Sequence, residues 1–196
     1  MPNKAKRCWW CGIDPLYVAY HDTEWGVPIT DDRALYAKLV LDGFQAGLSW
    51  LTILRKRPAL ERAFKGFDPE RVARFTERDV QRLLADAGII RSRAKINAAI
   101  GNARVWMKVM EAGDGSFRDL LWEHVEHRTI DLKLAKPSDI RAQTPQSEAL
   151  AKVLKKRGFA FCGPVIVHAF MQAVGMFNEH LVTCPRHRAC ARLARR

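Results

Sequence analysis

Helix punctuation, repeated along the chain without one convincing alternating strand pattern, most limits how these 196 residues can fold. Thr30-Asp31, Asp68-Pro69, Thr76, Ser116, Thr144-Pro145 and Gly163-Pro164 each place a capping residue or a first-turn proline ahead of an apolar-periodic run. The stops are as clear: Gly113 and Gly115, then Lys155-Lys-Arg157-Gly158, then Gly175. Cations in a last turn followed by glycine suit both the helix dipole and a left-handed cap. Pro58 reads as the start of a further short helix. The class expected is all-α. No internal repeat or Pro/Ser-rich linker divides the chain, so residues 1–196 read as one domain, with two helical lobes sharing a cleft.

Within that pattern the stretch Leu41-Asp-Gly-Phe-Gln-Ala-Gly-Leu-Ser-Trp50 stands out. If helical throughout, it lines Asp42, Gln45 and Ser49 along one face, at spacings of three and four. Gly43 and Gly47 each cost about 1 kcal/mol relative to alanine there. Such a cost points to a close backbone approach or a meeting of two helices. On pattern alone, a helix–helix corner with a buried Trp50 fits as well as a working site.

Residues 8–28 hold three of the six tryptophans, two of the three tyrosines and His21, with no sustained period. They either wrap over a core, or Trp10, Tyr17, Tyr20 and Trp25 line a pocket for a flat ligand such as a nucleobase. Lysine and arginine number 33 against 21 acidic residues, a net charge of +12 that favours a polyanionic partner. No apolar run approaches the ~18 residues of a membrane span. The start, Met1-Pro-Asn-Lys-Ala-Lys-Arg7, has no signal-peptide core, so a cytoplasmic protein is expected.

In that compartment five cysteines, gathered mostly at the two ends, point to metal or to inert thiols. Cys8 and His21 near one end, with His180-x3-Cys184 near the other, would close a tetrahedral structural zinc site that ties the termini together. Cys11, His187 and Cys190 compete for the same role. The stretch 83–96 reads as a helix end, a hairpin containing Gly88, and a new helix, with Arg91, Arg93 and Lys95 beside it. It looks like a variant of the helix-hairpin-helix motif, which holds DNA phosphate on backbone N–H groups. An ordinary glycine turn between helices has the same pattern. Residues 126–143 read as a long connection, with His124 and His127 solvated nearby. The tail 185–196, carrying five arginines, is expected to fray.

These separate hints converge on the DNA-3-methyladenine glycosylase I family, which the chain resembles from Cys8 to Cys184. The matching blocks are Asp14-Pro-Leu-Tyr-x-Ala-Tyr-His-Asp-x-Glu-Trp-Gly-Val-Pro28, Gln45-Ala-Gly-Leu-Ser-Trp50, Asp86-Ala-Gly-Ile-Ile-Arg91, Lys156-Arg-Gly-Phe159 and Phe170-Met-Gln-Ala173. The resemblance implies a helix-hairpin-helix glycosylase fold, with zinc on Cys8, His21, His180 and Cys184 and with Cys11 and Cys190 as spare thiols. It implies a monomer acting on double-stranded DNA with alkylated bases. A cationic 3-methylpurine is flipped into a pocket and released by hydrolysis. Trp10, Tyr20 and Trp50 match the family's aromatic pocket, with Tyr17 and Trp25 beside them. Gly47 and Leu48 match the segment that approaches the gap left by the flipped base. Asp42 stands where the best-known members carry the base-binding glutamate. No lysine reads as a Schiff-base nucleophile, so a monofunctional enzyme is expected. Phe44, Val165 and His168 also depart from the family's usual residues, and with Asp42 they bear on substrate choice. Two other readings remain: a non-catalytic DNA-damage binder and a zinc-stabilised helical interaction module.

Overall fold

The computed structural model describes residues 6–113 and 115–194; residues 1–5, Asp114 and the last two arginines of the tail lie outside it. Among the described residues ten α-helices carry the architecture. They are α1 (Pro15–Thr23), α2 (Asp32–Gln45), α3 (Trp50–Ala63), α4 (Pro69–Ala73), α5 (Glu77–Ala85), α6 (Arg93–Glu111), α7 (Phe117–Trp122), α8 (Pro145–Arg157), α9 (Pro164–Ala173) and α10 (Pro185–Leu193). None is long and apolar enough to cross a membrane. The all-α expectation holds. Its one exception among the described residues is a parallel pair of two-residue strands, β1 (Ile130–Asp131) and β2 (Phe177–Asn178), too short to show any alternation in the sequence.

The caps read from sequence form as expected. Asp31, Asp68, Ser116 and Thr144 each accept a hydrogen bond from a first-turn amide, and Gly158 takes the left-handed conformation after α8. Central to the packing is α2, which lies against α3, α6, α7 and α9. Its buried face runs from Leu35 and Tyr36 through Leu39 and Val40 to Phe44, the spacing of an amphipathic helix in a core. One continuous apolar core extends from Tyr20 to Phe177.

Four local expectations are corrected. The helix through Leu41–Trp50 breaks. Ala46 leaves helical geometry, Gly47 sits at φ +75°, and Ser49 caps α3 by accepting from Thr52 N. Asp42 and Ser49 therefore belong to different helices and do not share a face. Pro58 lies inside α3 instead of starting a helix; buried Ile53 and Leu54 before it and Leu60 after it anchor both halves. The tail is not frayed over its described part. Pro185 opens α10, and buried Cys190 docks it. His124 is not solvated: its side chain is only 15% exposed, and burial lowers its pKa.

The N-terminal segment threads over the end of α9. Gly26 N donates to Ala173 O, Ile29 N donates to Val174 O, and Trp122 Nε1 donates to Ile29 O. Gly175 is required at this crossing. Its φ is +76°, and a Cβ would stand 2.6 Å from Pro28 N. Neither the neighbouring backbone nor a left-handed β-carbon can yield there.

Candidate active site

The ends of the chain meet at Cys8, His21, His180 and Cys184. All four are buried, and their ligand atoms lie within 4.8 Å of one another. Cys8 Sγ is 3.6 Å from His180 Nδ1, and Cys184 Sγ is 3.6 Å from His21 Nε2. The other imidazole nitrogens are already engaged. His180 Nε2 is 3.1 Å from the Trp25 carbonyl, and His21 Nδ1 is 2.7 Å from Asp22, which Arg7 grips from the far side. A carbonyl or carboxylate partner fixes the proton on that nitrogen and leaves the inward one a lone pair, the usual outer support of a metal-bound histidine. The donor set can hold a metal ion. The competing residues stand outside it: Cys11 Sγ donates to Cys8 O, His187 pairs with Asp131, and Cys190 packs near the Trp25 carbonyl.

This cluster also sets the wall of the adjoining cleft. The Trp25 ring lies 4.6 Å from that of His180, and Trp10 lies 5.2 Å from His21 and 4.9 Å from Trp25. The cleft, about 270 Å³, is faced by Trp10, Tyr17, Tyr20, Trp25 and Trp50. Tyr20 and Trp50 are 5.3 Å apart between centroids. Its polar groups are few: Lys38, Asp42, Gln45 and Gln172. An apolar, aromatic chamber with a handful of convergent polar groups suits one flat ligand.

At its floor Asp42 is buried. One carboxylate oxygen accepts from Lys38 Nζ, and the other, Oδ2, has no partner among the described residues. Burial raises the pKa of the Asp42 carboxyl, and the Lys38 ammonium offsets only part of that rise. Trp50 Nε1 is likewise buried without a partner among the described residues. Orphaned buried polar atoms are rare and costly, and they call for a missing partner. A larger apolar groove, about 740 Å³ between α8 and Phe159–Pro164, holds no such atom among the described residues.

A model of the methyladenine glycosylase family matches residues 10–187. The chain belongs to that family. It is 49% identical over 179 residues to DNA-3-methyladenine glycosylase 1 of Escherichia coli (strain K12), covering 91% of this chain and 95% of that protein. Its fold is similar to the crystal structure of a 3-methyladenine DNA glycosylase I, with TM-score 0.90 and 49% identity over 92% of this chain and 98% of the other. It is also similar to a tyrosine-to-phenylalanine variant of such an enzyme in complex with 3-methyladenine, with TM-score 0.88 and 40% identity over 91% and 95% of the two chains.

For a member of the methyladenine glycosylase family, the remaining expected residues fall as follows. Gly47 and Leu48 form the exposed tip of the α2–α3 turn, with Leu48 40% exposed. The hairpin joins α5 to α6 through residues 86–92. Gly88 packs tightly, since a Cβ there would lie 3.2 Å from Ala59, and its amide donates to Asp86 Oδ1. Arg91 is exposed; Arg93 is exposed and paired with Glu77. Lys95 departs from its expected place beside the hairpin. It turns inward and donates to the carbonyls of Phe44 and Ala46, capping the end of α2. Val165 is 54% exposed on α9, whereas His168 is buried against Glu179.

Sequence reasoning missed three groups. Lys38 stands four residues before Asp42, the spacing of a helical ion pair. Gln172 lies in the quoted Phe-Met-Gln-Ala block, lines the cleft and donates to Glu179. Lys56 holds the hairpin by donating to the Ala87 and Gly88 carbonyls, a long-range contact with no local sequence signal.

Proposed function

We propose that this chain is a DNA repair glycosylase that flips a 3-methylpurine, chiefly 3-methyladenine, out of duplex DNA and hydrolyses its glycosidic bond. Family membership supports the activity, and the observation that carries the substrate is the orphaned Asp42 Oδ2 at the floor of an aromatic cleft. A base methylated at N3 is cationic within the strand. Aromatic faces and a buried carboxylate attract such a cation. A relative of this fold in complex with 3-methyladenine supports the same ligand. In our reading Asp42, Trp50 and Tyr20 hold the base, Trp10, Tyr17 and Trp25 close the wall, and Gly47 and Leu48 enter the gap in the stack. The C1′–N bond breaks with its electron pair passing to the purine, which leaves neutral. Water adds to C1′ and gives its proton to solvent. Lys38 does line the cleft, but its amine is held by Asp42, so the reading stays monofunctional. Counting abasic sites in methylated duplex DNA tests the reading: they should accumulate with the protein and the strands should stay intact, and no increase over a protein-free control would refute it.

In the same reading one zinc occupies the four-ligand cluster. A tetrahedron of Zn–S and Zn–N bonds has S···N edges of about 3.6 Å, and two of the contacts here are 3.6 Å. The four ligand atoms lie within 4.8 Å of one another, so one dication can engage them all and displace the thiol protons. Protein ligands fill every position, so the ion supplies a cross-link. The chain then acts as one domain, two helical lobes about the cleft, with α5 and α6 as its helix-hairpin-helix.

Phosphate contact at the hairpin rests on Arg91 and the start of α6. Arg91→Ala is expected to weaken binding to every duplex sequence alike. It should also flatten the slope of log K against log salt by about one. An unchanged slope in a salt titration would remove Arg91 from the interface. Lys95→Ala should act instead through the α2–α3 turn.

A further inference from the structure

Lys38 is a charged group in the cleft that the recognition of a cationic base does not call for. Its side chain is 11% exposed, it donates to Asp42 Oδ1, and its Nζ sits 4.2 Å from the centroid of the Trp50 ring. The ammonium thus holds both groups that would attract a cationic purine: the buried carboxylate and an aromatic face. Lys38 is also the charged side chain that bonds Asp42 among the described residues. Two cations cannot share one buried carboxylate without strong mutual repulsion.

We propose that Lys38 is a specificity-determining residue, a resident cation that lowers the cleft's preference for charged purines and admits neutral modified purines with a ring-nitrogen or carbonyl acceptor. The lysine and aspartate together make the floor neutral. An incoming cation at Asp42 Oδ2 must settle beside the ammonium that already holds Oδ1 and lies over Trp50, whereas a neutral base can accept a hydrogen bond from it. This deepens the glycosylase reading, since it rests on the cleft being the base site.

The test uses the folded, full-length protein and two small ligands at neutral pH, the cationic 3,9-dimethyladeninium ion and neutral 9-methyladenine. Binding is followed by quenching of the tryptophans that line the cleft. Lys38→Met removes the charge at similar volume, and Lys38→Gln keeps a polar end should the first variant fold poorly. In either, the ratio of cation to neutral affinity is expected to rise at least about tenfold over the parent, as loss of a like charge at contact distance requires. Lys38→Arg should keep the parent ratio. A ratio that stays the same or falls on removing the charge would overturn the proposal. So would failure of both ligands to bind any of these proteins. Neither readout needs turnover, so a parent that bound both ligands but made no abasic sites would sink the glycosylase reading while this ratio still decided the role of Lys38.

Discussion

Exchanging Asp42 for asparagine is expected to slow excision of 3-methyladenine by at least about 100-fold, the scale of losing one preorganised electrostatic group. Asparagine keeps the shape of the side chain and removes the charge that faces the base. Binding to abasic duplex should change little, because the proposed DNA contacts at the hairpin and the Gly47 turn do not involve Asp42. The variant also strands the Lys38 ammonium in a buried place, and breaking such a pair costs about 3–5 kcal/mol. Stability and catalysis can be separated. The double variant Lys38→Met/Asp42→Asn should recover much of the melting temperature and none of the excision. Asp42→Glu, one methylene longer with the same charge, should preserve or raise excision. Single-turnover rates on a 3-methyladenine duplex check all three, and a parent-like rate for Asp42→Asn would leave recognition to the aromatic residues alone.

The second large effect lies at the joined ends. Cys184→Ser is expected to lose the proposed zinc and to melt lower by about 10 °C. A metal present at about a thousand times its dissociation constant contributes about 4 kcal/mol. For a chain of this size each kcal/mol moves the midpoint by about 2–4 °C. The damage should reach the cleft as well, because Trp10 and Trp25 pack directly on His21 and His180. Excision should therefore fall with metal content. Metal analysis and a thermal melt on the same preparation decide it; parent-like zinc in Cys184→Ser would remove that residue from the site.

Much of this arrangement was legible in the residues because its signals are local. An Asp-Pro or Thr-Pro cap acts within one turn, and so Asp68 and Thr144 predicted their helices. The His180-x3-Cys184 spacing likewise brings two candidate ligands to within 3.8 Å of each other. Asp42 drew notice as a carboxylate among apolar neighbours, and it is buried. What escaped depends on distant parts of the chain. The turn after Gln45 is stabilised by Lys95, fifty residues on in the sequence, which bonds the carbonyls that a continuing helix would have used. That contact turned an expected phosphate ligand into a cap. The β1–β2 pair joins residues far apart and is two residues long, below the reach of any period. Lys38 and Asp42 escaped for another reason. Their four-residue spacing was visible, but a helical ion pair is usually solvated, and only the packing of α2 puts this one at the floor of a cleft.

The most direct measurement is chromatography of the bases released when the protein is incubated with methylated duplex DNA. A peak of free 3-methyladenine should grow with time, grow at least about 100-fold more slowly with Asp42→Asn, and leave the strands unbroken. A protein that bound this DNA but released no base would be a damage binder, and would contradict the assignment of the cleft as a catalytic site.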